Sequence, residues 1–208
     1  MDTIIQQLEL SMKNDLKAIG QTIRTLCSSH KRYSETIFDF YKRNDDSLSL
    51  YFIGKCHHLK HNFRLALYYF GLSVEKGDMN SGYALNAIGN CFQEGLGVGK
   101  NKEEALEYFA RSARLRNSYG MNSLATHYYL KKDYTRASLL WKNACEIGNN
   151  PSCFYKMGNC YSRGHGIQKD IDKAVANYNI ASEMGCLESV KKLKQLNPSE
   201  IDRIRGLN

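Results

Sequence analysis

One short pattern recurs four times along this chain and limits what it can fold into more than any other feature. Ile53-Gly54-Lys55-Cys56-His57, Ile88-Gly89-Asn90-Cys91-Phe92, Leu124-Ala125-Thr126-His127-Tyr128 and Met157-Gly158-Asn159-Cys160-Tyr161 share one order: apolar, small, polar, Cys or His, then a ring. Each is followed by an Ala, a bulky residue four positions later and a small residue three after that. These are Ala66/Phe70/Ser73, Ala105/Phe109/Ser112, Ala137/Trp141/Ala144 and Ala174/Tyr178/Ala181. Small residue and Ala lie twelve positions apart in the first and third copies and sixteen in the second and fourth. The longer copies carry the glycine-bearing turns Gly95-Leu96-Gly97-Val98 and Gly164-His165-Gly166-Ile167. A unit repeated at such spacing cannot bury its apolar face alone, so copies stack and share a core.

Each copy reads as two helices. Helices approach to roughly 8–10 Å only where small side chains mark the crossing. Gly54, Gly89, Ala125 and Gly158 are therefore expected to admit the second helix, with Ala66, Ala105, Ala137 and Ala174 answering from its side. The aromatic residues are expected to fill the space between neighbouring hairpins.

The shorter copies resemble tetratricopeptide repeats, in which Leu-Gly-x-x-Tyr, Ala-x-x-x-Phe and a small residue fall at these offsets. The longer copies are similar to Sel-1-like repeats, which carry a Gly-x-Gly-Val turn. Gly95-Leu96-Gly97-Val98 matches that turn fully, and Gly164-His165-Gly166-Ile167 differs in Ile for Val. The resemblance spans roughly residues 47–190 and implies an all-α fold, a right-handed α-solenoid of stacked antiparallel helical hairpins. Its motif residues are structural, so it implies a binding scaffold more than any chemistry.

The expected organisation is an N-terminal helical cap over 1–46, hairpins at about 47–78, 82–117, 118–150 and 151–185, and a capping helix and tail over 186–208. In 3–28 the spacing of Ile5, Leu8, Met12, Leu16, Ile19, Ile23 and Leu26 is that of an amphipathic helix. Asp15 and Thr22 interrupt the heptad that a coiled coil would need. Inside the hairpins, helices are expected near 47–59, 62–76, 81–94, 101–116, 119–131, 133–147, 151–163 and 170–184. A last helix would turn Val190, Leu193 and Leu196 inward. The chain has 208 residues, two prolines and no flexible linker, which fits one continuous repeat array. No apolar run reaches the length of a membrane span. Asp2 stands where a secretory signal would be basic, so a cytoplasmic location is expected; the sequence leaves monomer and homodimer open.

Candidate chemistry is thin. Gly95-x-Gly97-x-Gly99 follows a helix and lacks the Gly-Lys-Ser/Thr ending of a phosphate loop, so it reads as a structural turn. His57 and His61 have metal-ligand spacing, yet His57 occupies the register of Phe92, Tyr128 and Tyr161 and reads as a packed ring. No Ser-His-Asp or Cys-His set and no paired carboxylates emerge, so no catalytic residue, cofactor or metal is assigned. Of seven cysteines, Cys56, Cys91 and Cys160 share one register, too far apart for disulfides, and read as small buried hydrophobes. The seven intervening residues between Cys145 and Cys153 resemble the stapling cysteines of the cysteine-rich bacterial branch of the Sel-1-like family, which implies a disulfide. The odd total and the lack of a signal sequence favour reduced thiols.

The resemblance also implies that first helices line the concave surface. Residues three before and one after each small residue face it there: Tyr51 and Lys55, Asn86 and Asn90, Asn122 and Thr126, Tyr155 and Asn159. One further turn adds His58, Gln93, Tyr129 and Ser162. Asn offers donors and an acceptor and suits an extended backbone, while Tyr83 and Tyr119 offer apolar anchors. The expected function is non-enzymatic: a scaffold or adaptor gripping a peptide or protein, acidic in view of a net charge of +8. An inhibitor or immunity-type protein would use the same face. An RNA reader is the other class, but Lys31-Arg32, Lys42-Arg43, Arg111/Arg114/Arg116, Lys131-Lys132 and Lys191-Lys192 are dispersed and form no continuous stripe, which argues against nucleic acid.

Overall fold

A computed structural model describes residues 46–148 and 150–196, and every regular element among them is helical. In chain order these are α1 (Ser47–Leu59), α2 (Phe63–Glu75), α3 (Ser81–Glu94), α4 (Lys102–Arg114), α5 (Ser118–Leu130), α6 (Tyr134–Ile147), α7 (Pro151–Arg163), α8 (Ile171–Glu183) and α9 (Leu187–Gln195). The expected N-terminal cap helices and the tail beyond Leu196 lie outside the described residues.

The boundaries follow local chemistry. Side chains of Asp46, Asn101, Asn117, Asp133, Asn150 and Asp170 accept hydrogen bonds from backbone N–H groups at the starts of α1, α4, α5, α6, α7 and α8. Each satisfies a donor that the first helical turn leaves without a partner. Pro151 opens α7, where its missing N–H costs nothing. Gly95, Gly148 and Gly164 close α3, α6 and α7 in the left-handed conformation.

The chain forms two compact units, divided after Leu115. In the first, α1 pairs with α2 and α3 with α4. A Cβ on Gly54 would stand 2.5 Å from the Phe70 ring, and one on Gly89 the same distance from the Phe109 ring. Each also lies 3.1 Å from the carbonyl oxygen of Ala66 or Ala105. Each glycine receives the aromatic ring of its own hairpin, with the Ala backbone beside it. Phe70 also packs in one buried cluster with Ala84, Ile88 and Cys91 of the next hairpin, so the ring fills the space between hairpins as well. Phe70 and Phe109 are 0% and 2% exposed, a burial that stabilises by about 1.5–3 kcal/mol per side chain. Buried hydroxyls tie the hairpins at the far end: Ser73 donates to Ser47 O and Ser112 to Gly82 O, each at 2.6 Å. The Gly97 turn packs onto the start of α2. At φ 75°, a Cβ there would come within 2.8 Å of the Phe63 backbone, so only glycine fits and the turn is structural.

In the second unit, α5 pairs with α6 and α7 with α8, and α9 packs on α8. Trp141 and Tyr178 take the ring positions, each 1% exposed. Gly158 receives the Tyr178 ring as Gly89 receives Phe109.

Candidate partner-binding face

In the first unit, the candidate residues of α1 and α3 form an aromatic start and a polar end. Tyr51 and Tyr83 bring their ring centroids to 5.7 Å, and Tyr51 also lies 5.8 Å from Phe70. Lys55, His58 and Asn86 are half-buried, whereas Asn90 and Gln93 are exposed. Gln93 donates to Glu94 at 2.8 Å.

The second unit is wired more tightly. Trp141 Nε1 donates to Asn122 Oδ1 at 2.9 Å. An indole N–H can only donate, so the amide must turn its oxygen to the ring and its Nδ2 away. Tyr178 donates its hydroxyl to Asn159 Oδ1, also at 2.9 Å, with Ser162 Oγ 3.4 Å from the same hydroxyl. Neither asparagine Nδ2 makes a hydrogen bond among the described residues. Thr126 donates back to Asn122 O at 2.8 Å. Tyr155 lies 6.0 Å from Tyr178, ring to ring, and Tyr119 is exposed.

Tyr129 belongs to a cluster that the repeat pattern did not announce. Its ring contacts Tyr134, Trp141 and His165. Its hydroxyl lies 2.9 Å from His165 Nδ1 and accepts from Arg163 at 3.1 Å. His165 stacks on Tyr134 with centroids 4.2 Å apart. The signal was present in the turn, where His165 stands at the position of Leu96.

His57 stacks on Tyr69 at 5.3 Å, as Phe92 stacks on Tyr108 at 5.4 Å. Burial and then Lys60 push its pKa down. Cys56, Cys91 and Cys160 are buried. Cys145 and Cys153 carry free thiols; burial and then the Glu146 charge raise Cys145 to about 12. Among the described residues no group of three His, Cys, Asp or Glu side chains is placed to hold a metal, and no helix is long and apolar enough to cross a membrane.

Paired helices with a small residue under each ring, repeated along both units, define a helical-hairpin repeat protein. Residues 47–78, 82–117 and 153–186 match the family model for the Sel1 repeat, and the chain is a Sel1 repeat protein. The α5–α6 pair lies outside the matched stretches. A Sel1 repeat protein from Oxalobacter formigenes superposes with a TM-score of 0.63 at 21% identity, over 93% of this chain and 59% of that one. A protective antigen of uropathogenic Escherichia coli displaying an SLR fold gives 0.58 at 18% identity, over 89% and 46%. These likenesses show the fold alone. Chitin synthase regulatory factor 2 of Schizosaccharomyces pombe is 29% identical over 120 residues, 52% of this chain and 23% of the relative. The chain therefore spans under a quarter of that protein's length.

Proposed function

We propose that this chain is a non-catalytic interaction scaffold that holds an extended segment of another protein against its first-helix residues. The observation that carries the reading is the orientation of Asn122 and Asn159. Each amide is fixed by a hydrogen bond from a buried ring at 2.9 Å, which leaves an N–H donor set pre-aimed and spares a partner the entropy of ordering it. A strand of peptide carbonyls is the complementary acceptor. The Tyr51–Tyr83 pair supports an apolar anchor in the first unit, and the net charge of +8 favours an acidic segment. Sel1 repeats generally mediate protein interactions. The relative from Schizosaccharomyces pombe is itself named as a regulatory factor.

The test is site-specific photo-crosslinking in the native host, with a benzophenone amino acid replacing Asn90 or Asn159, and Arg111 on α4 as the control. A discrete protein adduct is expected from both asparagine positions and not from Arg111. Equal adducts from all three, or none from Asn90 and Asn159, would reject the face.

A further inference from the structure

A second site lies where the third and fourth hairpins meet, roughly 200° around α7 from Asn159, on the rotation of about 100° per residue. Here α6, α7, the Gly166 turn and the start of α8 enclose an open cavity of about 550 Å³, within the range of ligand pockets. Its counterpart lies between the first and second hairpins. There the equivalent space is packed: Leu67, Phe92 and Tyr108 lie against the buried cluster around Ala66 and Phe70. The matching residues of the third and fourth hairpins are Ser138, Tyr161 and Asn177. Leu has become Ser and the covering Tyr has become Asn, whose amide turns back to Lys173 O at 2.8 Å. Tyr161 thus lines the cavity with Lys173 Nζ 5.8 Å from its centroid in place of the ring that covers Phe92.

The same comparison shows a change of charge. Lys142 stands where the earlier copy has Gly71, and Lys173 where it has Glu104. Lys169 keeps the basic character of Lys100. Three lysines therefore rim the cavity against one acid, Asp170. That carboxylate is committed, accepting from Lys173 N at 2.9 Å and pairing with Lys173 Nζ at 3.2 Å. Lys142 and Lys169 form no ion pair among the described residues. At the mouth, Leu139 is 57% exposed. Leu139, Met157, Tyr161 and Ile167 give the lining an apolar share among Ser138, Gln168 and the lysines, which suits a ligand with one apolar side chain and flanking negative charge.

We propose that this cavity binds an acidic peptide segment that seats one bulky apolar side chain against Tyr161 and Leu139, with carboxylates on either side meeting Lys142 and Lys169. It is separate from the first-helix face and does not depend on it.

The experiment is an NMR titration of the ¹⁵N-labelled full chain with a blocked pentapeptide of leucine flanked by two glutamates on each side. Saturable shifts are expected at the amides of Leu139, Tyr161 and Ile167. Lys142→Glu with Lys169→Glu should weaken binding at least tenfold. Ser138→Leu, which supplies the residue found at this register in the first hairpin, should abolish it, with circular dichroism reporting the fold; the lysine pair keeps the test valid if that variant unfolds. Four outcomes overturn the proposal: no shifts, equal binding by a peptide with alanine at the centre, equal shifts from inorganic phosphate, or indifference to the charge reversal. Shifts at Asn90 and Asn159 instead would report the first-helix face and leave this cavity without its ligand.

Discussion

Tyr178 reaches across its hairpin and donates to Asn159 Oδ1 at 2.9 Å, so one buried ring both fills the hollow over Gly158 and orients a residue of the proposed binding face. The first unit holds Phe70 and Phe109 in that register, which shows that the ring fits without its hydroxyl. Tyr178→Phe is therefore expected to cost about 0.5–1.5 kcal/mol in urea denaturation, the net worth of one hydrogen bond. With the benzophenone at Tyr155, beside Tyr178 and with Asn159 in place, crosslinking yield should fall in the Tyr178→Phe variant, while yield from the probe at Asn90 should hold. An unchanged yield from Tyr155 would separate the ring from the face.

Gly71 and Gly89 make opposite predictions for the same substitution. Nothing lies within 4 Å of a Cβ at Gly71, in α2, whereas one at Gly89 would meet the Phe109 ring at 2.5 Å. Gly71→Ala should stabilise by about 0.5–1 kcal/mol through helix propensity. Gly89→Ala should destabilise by about 1–3 kcal/mol as the ring is displaced. Denaturation midpoints of the two variants, read against wild type, check the pair; shifts of the same sign would contradict the packing.

His57 makes stability depend on pH. Burial lowers its pKa below the usual 6.5, so the unfolded chain binds more protons than the folded one below that value, and stability falls as pH falls. His58 and His127, also lowered by burial first, act in the same direction. Phe92 in the next hairpin stacks on its tyrosine as His57 does on Tyr69. His57→Phe should keep the stack and reduce the loss of melting temperature between pH 7.5 and pH 5.5. A slope as steep as that of wild type would exclude His57 as a contributor.

How far the sequence could be read depends on what each residue contacts. Gly54, Gly89 and Gly158 recur because each hairpin needs the same hollow, so period alone revealed the helices, and their ends fall within a residue or two of the spans that capping side chains mark. The partner of each glycine was less legible: spacing shows that a small residue is needed but not whether a helix backbone or a ring fills the gap. The ring-to-amide bonds of Asn122 and Asn159 come from different registers, three before and one after the small residue, and only the folded hairpin makes them alike. The cavity beside Tyr161 was hidden for another reason. Ser138, Lys142 and Asn177 fall outside the motif, and their meaning appears only beside Leu67, Gly71 and Tyr108 in a packed copy.

The thiols provide the last prediction. Burial raises Cys91 and Cys160 to about 11 and Cys145 to about 12, and it raises Cys153 as well. The thiolate is the reactive form, so all four should resist iodoacetamide at pH 8 in the folded chain and react on addition of denaturant. Between the unfolded thiol value of about 9 and the folded value of about 11 for Cys91, the unfolded state has lost protons that the folded state keeps. Stability must therefore decline as pH rises through that window. Cys91→Ala should shallow the decline relative to wild type. Mass spectrometry of the alkylated digest reads each cysteine separately: rapid folded-state labelling of Cys91 or Cys160 would contradict their burial. A linked Cys145–Cys153 peptide would instead show a disulfide where the structure has two thiols.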